Sequence, residues 1–229
     1  LSFLKPKIFL IWIITSPERI HEEVDIIAAL LTAGVKRVLL RKPGWSTEQY
    51  TALLDKLPPE YYSRLLIRDH AALAARYGLA GVHWSGEEMR RSVAADSKYT
   101  SNGETAPVTG KKEPPTRYLS PENFKENSTG IHSTEDITST DKRFQTLLLS
   151  PVFNSISKPG YHGRIEGILP DKNNRPVLAL GGVDHTNIHL LRHWQFDGAA
   201  LLGAIWKTPA QAVENYYRIQ QLWNKSDLT

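Results

Sequence analysis

Eight short apolar runs, separated by helix-sized segments, constrain the fold of this 229-residue chain more than any other feature. They are Ile8–Thr15, Val35–Arg41, Leu65–Asp69, Gly81–Trp84, Gly130–His132, Thr146–Val152, Val177–Val183 and Gly198–Ile205. The runs are continuously apolar rather than alternating, as expected of parallel strands buried on both faces. Amphipathic stretches lie between several of them. Pro17–Ala33 reads as a helix with Ser16 as N-cap and Pro17 at the first helical position. A Ser46-capped helix to Leu57 follows, then Ala71–Tyr77, Asn187–Trp194 and a final helix over Pro209–Trp223. Strand and helix in alternation predict α/β architecture. Eight such units favour a closed (β/α)8 TIM barrel over an open doubly wound sheet, and no G-x-G-x-x-G follows the first run. Such a barrel uses roughly 200–250 residues. The whole of 1–229 therefore reads as a single domain.

Residues 96–127 interrupt the rhythm after the fourth strand. They are rich in Ser, Thr, Lys, Glu and Pro and nearly devoid of large aliphatics. This reads as a long polar insertion, a flexible inserted loop with one short helix near Pro121–Lys125.

Composition narrows the chemistry. The chain has no cysteine, which excludes a disulfide scaffold, a thiol nucleophile and thiolate metal sites, and fits a reducing, cytoplasmic setting. Lys and Arg number 28 against 24 Asp and Glu, a net +4. That excess is too small to imply nucleic acid, and it suits small anionic substrates equally well. No run approaches the ~18 apolar residues of a membrane span. Lys5 and Lys7 before the apolar Ile8–Ile14 mimic a signal peptide. The run ends at Thr15-Ser16-Pro17-Glu18 without a small-residue cleavage site, so a buried first strand is the better reading. The sequence leaves the oligomeric state open.

In a barrel the chemistry sits where strands end. Here those ends carry Arg41-Lys42, Asp69-His70, His83, Glu87-Glu88, His132, Ser150, the Ser155-to-Lys158 loop, Gly181-Gly182 and Gly203. Fixed cations, hydroxyls and glycine backbone are the groups phosphate chemistry needs. The glycines after strands seven and eight occupy the usual phosphate position of the barrel.

These segments resemble motifs of one family. LSPVFNSISKPG, from Leu149 to Gly160, resembles the GPVFpTxTK motif of the thiamine-phosphate synthase and thiazole tautomerase family. Ala179 to Val183, with Asn187 following, resembles its AIGGI…N, and Gly198 to Ile205 its GAdGVAvvsaI. Gly81-Val82-His83-Trp84 resembles GvHlG, and Gly130-Ile131-His132 with Glu135 resembles gvSxHxxeE. The matches run in family order from about Val35 to Trp206.

The resemblance implies an enzyme of thiamine biosynthesis that takes small phosphorylated thiazole and pyrimidine ligands. The synthase of the family joins a hydroxymethylpyrimidine diphosphate to thiazole phosphate and expels pyrophosphate. The tautomerase aromatises the thiazole precursor by proton transfer without a metal. Carried over by position, the resemblance assigns catalysis to Lys158, His132 and Arg41. It assigns phosphate or substrate contact to Arg41, Ser155, Ser157, Lys158, Gly181, Gly182 and Gly203. Lys42 and Arg68 depart from the motif and are read from their own charge: Lys42 as a phosphate cation beside the missing lysine, Arg68 as a partner of Asp69 or as a charge that replaces the metal at a bound phosphate. In the synthase reading Asp69 and Glu88 hold Mg2+; in the tautomerase reading there is no metal.

Departures separate the two. Where the synthase has Gln-x-Arg-x-Lys after strand two, this chain has Leu39, Arg41 and Pro43. Asn-Asp becomes Arg68-Asp69, the second metal Asp has Glu88 nearest to it, and the strand-five serine is Gly130. Leu39, Pro43 and Arg68 favour the tautomerase, while Asp69, Lys158, and Ser155 and Ser157, which keep the hydroxyls of the motif's two threonines, favour the synthase. A non-catalytic sensor of thiazole or thiamine phosphate is a third reading. Plain structural roles compete at each position: Arg41 in a barrel salt bridge, Asp69 as a helix cap, Glu88 as a solvated acid, His83 and His132 as core histidines, and Gly181-Gly182 as a tight turn.

Overall fold

Parallel strands covered on both faces form either an open doubly wound sheet or a closed barrel, and those of this chain close. The structure, a computed structural model, describes residues 9–88, 90–91, 119–156, 160 and 162–225. The strands are β1 (Leu10–Ile14), β2 (Arg37–Leu40), β3 (Leu65–Arg68), β4 (Gly81–Trp84), β5 (Glu126–Ile131), β6 (Thr146–Leu149), β7 (Val177–Leu180) and β8 (Gly198–Leu201). They form a closed barrel in sequence order, and every neighbouring pair, β8 with β1 included, is parallel. The (β/α)8 expectation holds.

The helices are α1 (Glu23–Thr32), α2 (Thr47–Leu54), α3 (Ala71–Tyr77), α4 (Asp136–Ser139), α5 (Ile188–His193), α6 (Gly203–Trp206) and α7 (Ala212–Lys225). Residues 86–88 and 90–91 are also helical. Along each strand, alternate side chains divide between two apolar clusters. Ile11, Ile13, Val38, Leu40, Ile67, Val82, Trp84 and Leu149 pack outward with the helices. Trp12, Ile14, Leu39, Leu66, Leu148, Leu178 and Ala200 fill the barrel itself. Each large aliphatic side chain so buried contributes about 1.5–3 kcal/mol. At the N-terminal end of the barrel the first residues of β2 and β5 meet: Arg37 Nε donates to Glu126 Oε2 at 2.6 Å.

Most strands are a residue or more shorter than the apolar runs, and several other boundaries differ from those read in the sequence. The first helix begins at Glu23, not Pro17. The Ser16 hydroxyl accepts the Glu18 N–H at 3.2 Å, which makes a local turn rather than a helix cap, and left-handed Glu22 (φ 56°) precedes the helix. Strand β5 starts at Glu126, so the last two residues assigned to the insertion belong to the barrel. Its polar residues are buried through hydrogen bonds. The Asn127 Oδ1 accepts the Trp84 indole N–H at 2.9 Å, and the Thr129 hydroxyl donates to the Trp84 carbonyl at 2.9 Å. Apolar run eight is divided: β8 stops at Leu201 and α6 starts at Gly203, with the Trp206 indole donating to the Ile14 carbonyl at 2.7 Å. The last helix begins at Ala212 after a 3-10 turn over Pro209–Gln211. The short helix expected near Pro121–Lys125 is a 3-10 turn, Pro121–Asn123. Of the insertion, residues 96–118 lie outside the described residues. No helix of the described residues is long and apolar enough to cross a membrane.

Candidate functional site

Parallel register brings β2 and β3 side by side with Leu40 opposite Ile67. One residue further on, Arg41 and Arg68 are neighbours at the C-terminal mouth. They line a cavity of about 310 Å3 together with Trp45, Tyr50, Asp69 and His70. Among the described residues the Arg41 guanidinium has no hydrogen-bond or acidic partner; burial and the Arg68 charge both disfavour its charged form. The structural alternative for Arg41, a barrel salt bridge, is not found among these residues. A larger groove of about 570 Å3 lies between α1 and α2, lined by Arg19, Glu22, Asp25 and Lys56 among others.

Asp69 follows β3 in a left-handed conformation (φ 58°), a region that favours glycine and that Asp tolerates better than most other residues. Its Oδ1 accepts the Ser85 N–H at 2.6 Å and its Oδ2 accepts Arg68 Nε at 3.3 Å. It does not cap α3, whose N-cap is His70 with no side-chain bond. Glu88 is paired with Arg91, three residues along the same helical turn, at 3.3 Å. The two carboxylates read as Mg2+ ligands are thus each bonded to an arginine. A Mg2+ ion needs carboxylate oxygens at about 2.0–2.1 Å in near-octahedral geometry. Glu88 does not line the cavity that holds Asp69, and an ion on Asp69 would meet the Arg68 guanidinium, so this donor set does not fit Mg2+.

The expectation that Lys42 contacts phosphate is not met. The chain turns after Arg41, and Lys42 enters the space behind α1. Its Nζ lies 2.6 Å from Glu23 Oε2 and donates to the Glu18 carbonyl at 2.8 Å, with the side chain 0% exposed. Burial raises the Glu23 pKa, and the bond and charge of Lys42 act against that rise. Leu39, at the place where the resembled synthase motif has glutamine, is packed in the barrel's inner cluster.

His83 faces inward from β4, where its Nδ1 lies 2.9 Å from the Ser128 hydroxyl. Burial, then the charges of Arg68 and Arg41, push its pKa down to about 3, so the ring is neutral. His132 follows β5 at the mouth and is exposed. Its Nδ1 bonds the Ser150 carbonyl at 3.0 Å, an acceptor only, so Nδ1 carries the proton and Nε2 is left as the basic nitrogen. Asp136 Oδ2 accepts the backbone N–H groups of both His132 and Ser133 and holds the turn.

Gly181, Gly182 and Gly203 are fitted to the loop after β6. A Cβ at Gly182 would stand 2.1 Å from the Asn154 carbonyl oxygen; at Gly203, 3.0 Å from Ile156 Cβ; and at Gly181, 3.2 Å from Pro151 Cα. The Phe153 N–H donates to the Gly181 carbonyl at 2.9 Å. The glycines let this loop, which carries Ser155, lie on the ends of β7 and β8. Ser157 and Lys158 lie outside the described residues.

Sequence reading placed His70 among the strand-end residues without a role, and missed Trp45 and Tyr50 as cavity walls. The Tyr50 and His70 rings lie 4.6 Å apart, and burial lowers the His70 pKa. Trp45, in the same β2–α2 loop as Arg41, carried a signal. Tyr50 carried none, because its position looks like an ordinary core position of α2.

A sequence profile of the family described as "Thiamine monophosphate synthase" matches residues 11–100. The thiamine-phosphate synthase of Lysinibacillus sphaericus (strain C3-41) is 22% identical over 197 residues, 81% of each chain. Among solved structures, the thiamine phosphate pyrophosphorylase of Bacteroides thetaiotaomicron aligns with a TM-score of 0.64 at 19% identity, over 95% of this chain and 98% of that one. The thiamine phosphate pyrophosphorylase from Pyrococcus furiosus aligns at 0.67 and 16%, over 95% and 96%.

Proposed function

For a chain akin to the thiamine-phosphate synthase family in sequence profile and barrel fold, we propose synthase-type transferase activity in thiamine biosynthesis. In this reading the protein condenses a hydroxymethylpyrimidine diphosphate with thiazole phosphate, giving thiamine phosphate and pyrophosphate. The observation that carries it is the Arg41–Arg68 pair at the mouth, where Arg41 meets no acid among the described residues. A guanidinium unpaired in a half-buried place is costly unless a ligand anion completes it.

The chemistry balances without a proton acceptor. The bond from the pyrimidine methylene to the diphosphate oxygen breaks, and the diphosphate leaves with the electron pair. The thiazole nitrogen gives its lone pair to the methylene carbon, and the new C–N bond makes that ring the thiazolium cation. Negative charge grows on the departing oxygens, where Arg41 and Arg68 are already oriented. Trp45, Tyr50 and His70 offer flat apolar faces beside them for the pyrimidine ring. In this reading Ser155, Ser157 and Lys158 hold the thiazole phosphate, and Gly181, Gly182 and Gly203 seat the part of the loop that carries Ser155. The neutral His83 ring beside Ser128 adds no competing charge to the floor of the site.

The test is incubation with both substrates followed by mass analysis. Thiamine phosphate is expected, with Arg41→Ala lowering kcat by about 10²–10³-fold. No thiamine phosphate under any buffer condition refutes the synthase reading. His132 supports a second reading: its fixed Nδ1 proton leaves Nε2 as a general base at the mouth, which is what a thiazole tautomerase requires. An isomerised thiazole of unchanged mass, lost in His132→Asn, identifies that activity.

A further inference from the structure

We infer that the diphosphate subsite of this chain works without a divalent cation, Arg68 supplying the positive charge that Mg2+ brings in a carboxylate-based site. The inference deepens the synthase reading and rests on it for the identity of the anion.

Four observations converge. First, the register of β2 and β3 puts two permanently charged side chains, Arg41 and Arg68, next to each other on one cavity. Two like charges at close range are retained where an anion answers both. Second, Arg68 uses only its Nε on Asp69, at 3.3 Å. Among the described residues neither of its Nη groups meets an acceptor. Those two nitrogens are a planar fork suited to a phosphate.

Third, Asp69 Oδ1 accepts the Ser85 N–H and its Oδ2 faces Arg68 Nε at 3.3 Å. A cation on this carboxylate would sit beside the Arg68 guanidinium, a like charge at close range. Fourth, Glu88 pairs with Arg91 on its own helical turn and does not line the cavity of Arg41, Arg68 and Asp69, so no second carboxylate joins Asp69 there. Asp69 thereby becomes a positioning residue: it ties the Arg68 guanidinium to the end of β4 through Ser85. Its left-handed backbone holds this arrangement.

Arg68 acts on the leaving group, so the probe is inorganic pyrophosphate, titrated calorimetrically into the full chain in EDTA and again in Mg2+. Wild-type protein is expected to bind in EDTA. Arg68→Ala is expected to weaken that binding by about 10–100-fold, the loss of one or two charge-assisted hydrogen bonds. Arg68→Lys recovers part of it, since charge is kept and the fork is lost. Asp69→Asn keeps an acceptor for Ser85 and weakens binding less than Arg68→Ala, whereas a metal ligand at this position would make Asp69→Asn the more damaging.

Pyrophosphate binding by the wild-type protein only when Mg2+ is added overturns the inference, and that arm does not depend on any variant folding. Equal affinity of wild type and Arg68→Ala in EDTA overturns it too. Turnover separates this inference from the reading beneath it. Thiamine phosphate made only with Mg2+ refutes the cation-free subsite and leaves the synthase standing. No product in either buffer, with Arg68-dependent pyrophosphate binding in EDTA, refutes the synthase and leaves the subsite.

Discussion

Lowering the pH should unlock the barrel from inside, through His83. The ring is 6% exposed, lies 2.9 Å from Ser128, and faces the charges of Arg41 and Arg68. Its pKa falls from 6.5 to about 3 in the folded chain. Between those values the unfolded chain binds a proton that the native one refuses, so stability rises with pH across the window and is lost as pH falls through it. Integrating the difference, His83 alone removes about 2 kcal/mol between about pH 7.5 and about pH 5. The assay is urea denaturation at a series of pH values, wild type against His83→Gln, which keeps a hydrogen-bonding side chain for Ser128. His70, whose pKa burial also lowers, is present in both proteins and cancels in the comparison. The wild type should lose about 2 kcal/mol more than the variant over this range. Parallel pH profiles, or an NMR titration of His83 with a midpoint near its ordinary value, would refute the reasoning.

Two other perturbations test how the site is supported. Lys42→Met strands Glu23 in a buried place and should cost about 3–5 kcal/mol by urea midpoint, while the double variant Lys42→Met/Glu23→Leu should recover most of it; an undiminished Lys42→Met would show that the pair is not buried in solution. Gly182→Ala, with φ 67° and a Cβ 2.1 Å from the Asn154 carbonyl oxygen, should lose more than Gly167→Ala, with φ 94° and nothing within 4 Å. The difference, about 1–3 kcal/mol in melting experiments, measures the loop contact apart from backbone strain; equal losses would mean that the loop does not rest on the glycine.

What the sequence made legible was whatever a single strand or helix states about itself. The boundaries of α3 and β4 match those read directly, and the Ser46 cap is present as a capping box with Gln49. Elements failed where a local signal pointed one way and tertiary structure another. Ser16-Pro17 reads as a helix start, but the hydroxyl is used in a turn and α1 waits for Glu23. Residues Glu126 to Thr129 are polar and read as loop, yet they form a central strand because Trp84, His83 and Arg37 supply their partners. An apolar pattern detects burial paid by hydrophobic area and is blind to burial satisfied by hydrogen bonds.

The same limit governs the site. Arg41, Arg68 and Asp69 were legible because each ends or follows a strand, and a barrel directs such residues to one mouth. Lys42 sits one position from Arg41, and the sequence offered both as cations for phosphate. Successive residues leave a strand in opposite directions, so the Arg41 side chain faces the mouth, while Lys42, which borders the same cavity, buries its side chain on Glu23. Asp69 carried the opposite ambiguity. As a residue type it suited a metal ligand or a helix cap, and the choice depended on what stood against its two oxygens. The Arg68 beside it in sequence is its partner in space, and Ser85 completes the set from the next strand. A departure from the family's pattern at position 68 thus changes the meaning of the matching residue at 69. Motif agreement at a carboxylate therefore carries a metal assignment only as far as its neighbours leave the carboxylate free, and in this barrel an arginine holds it.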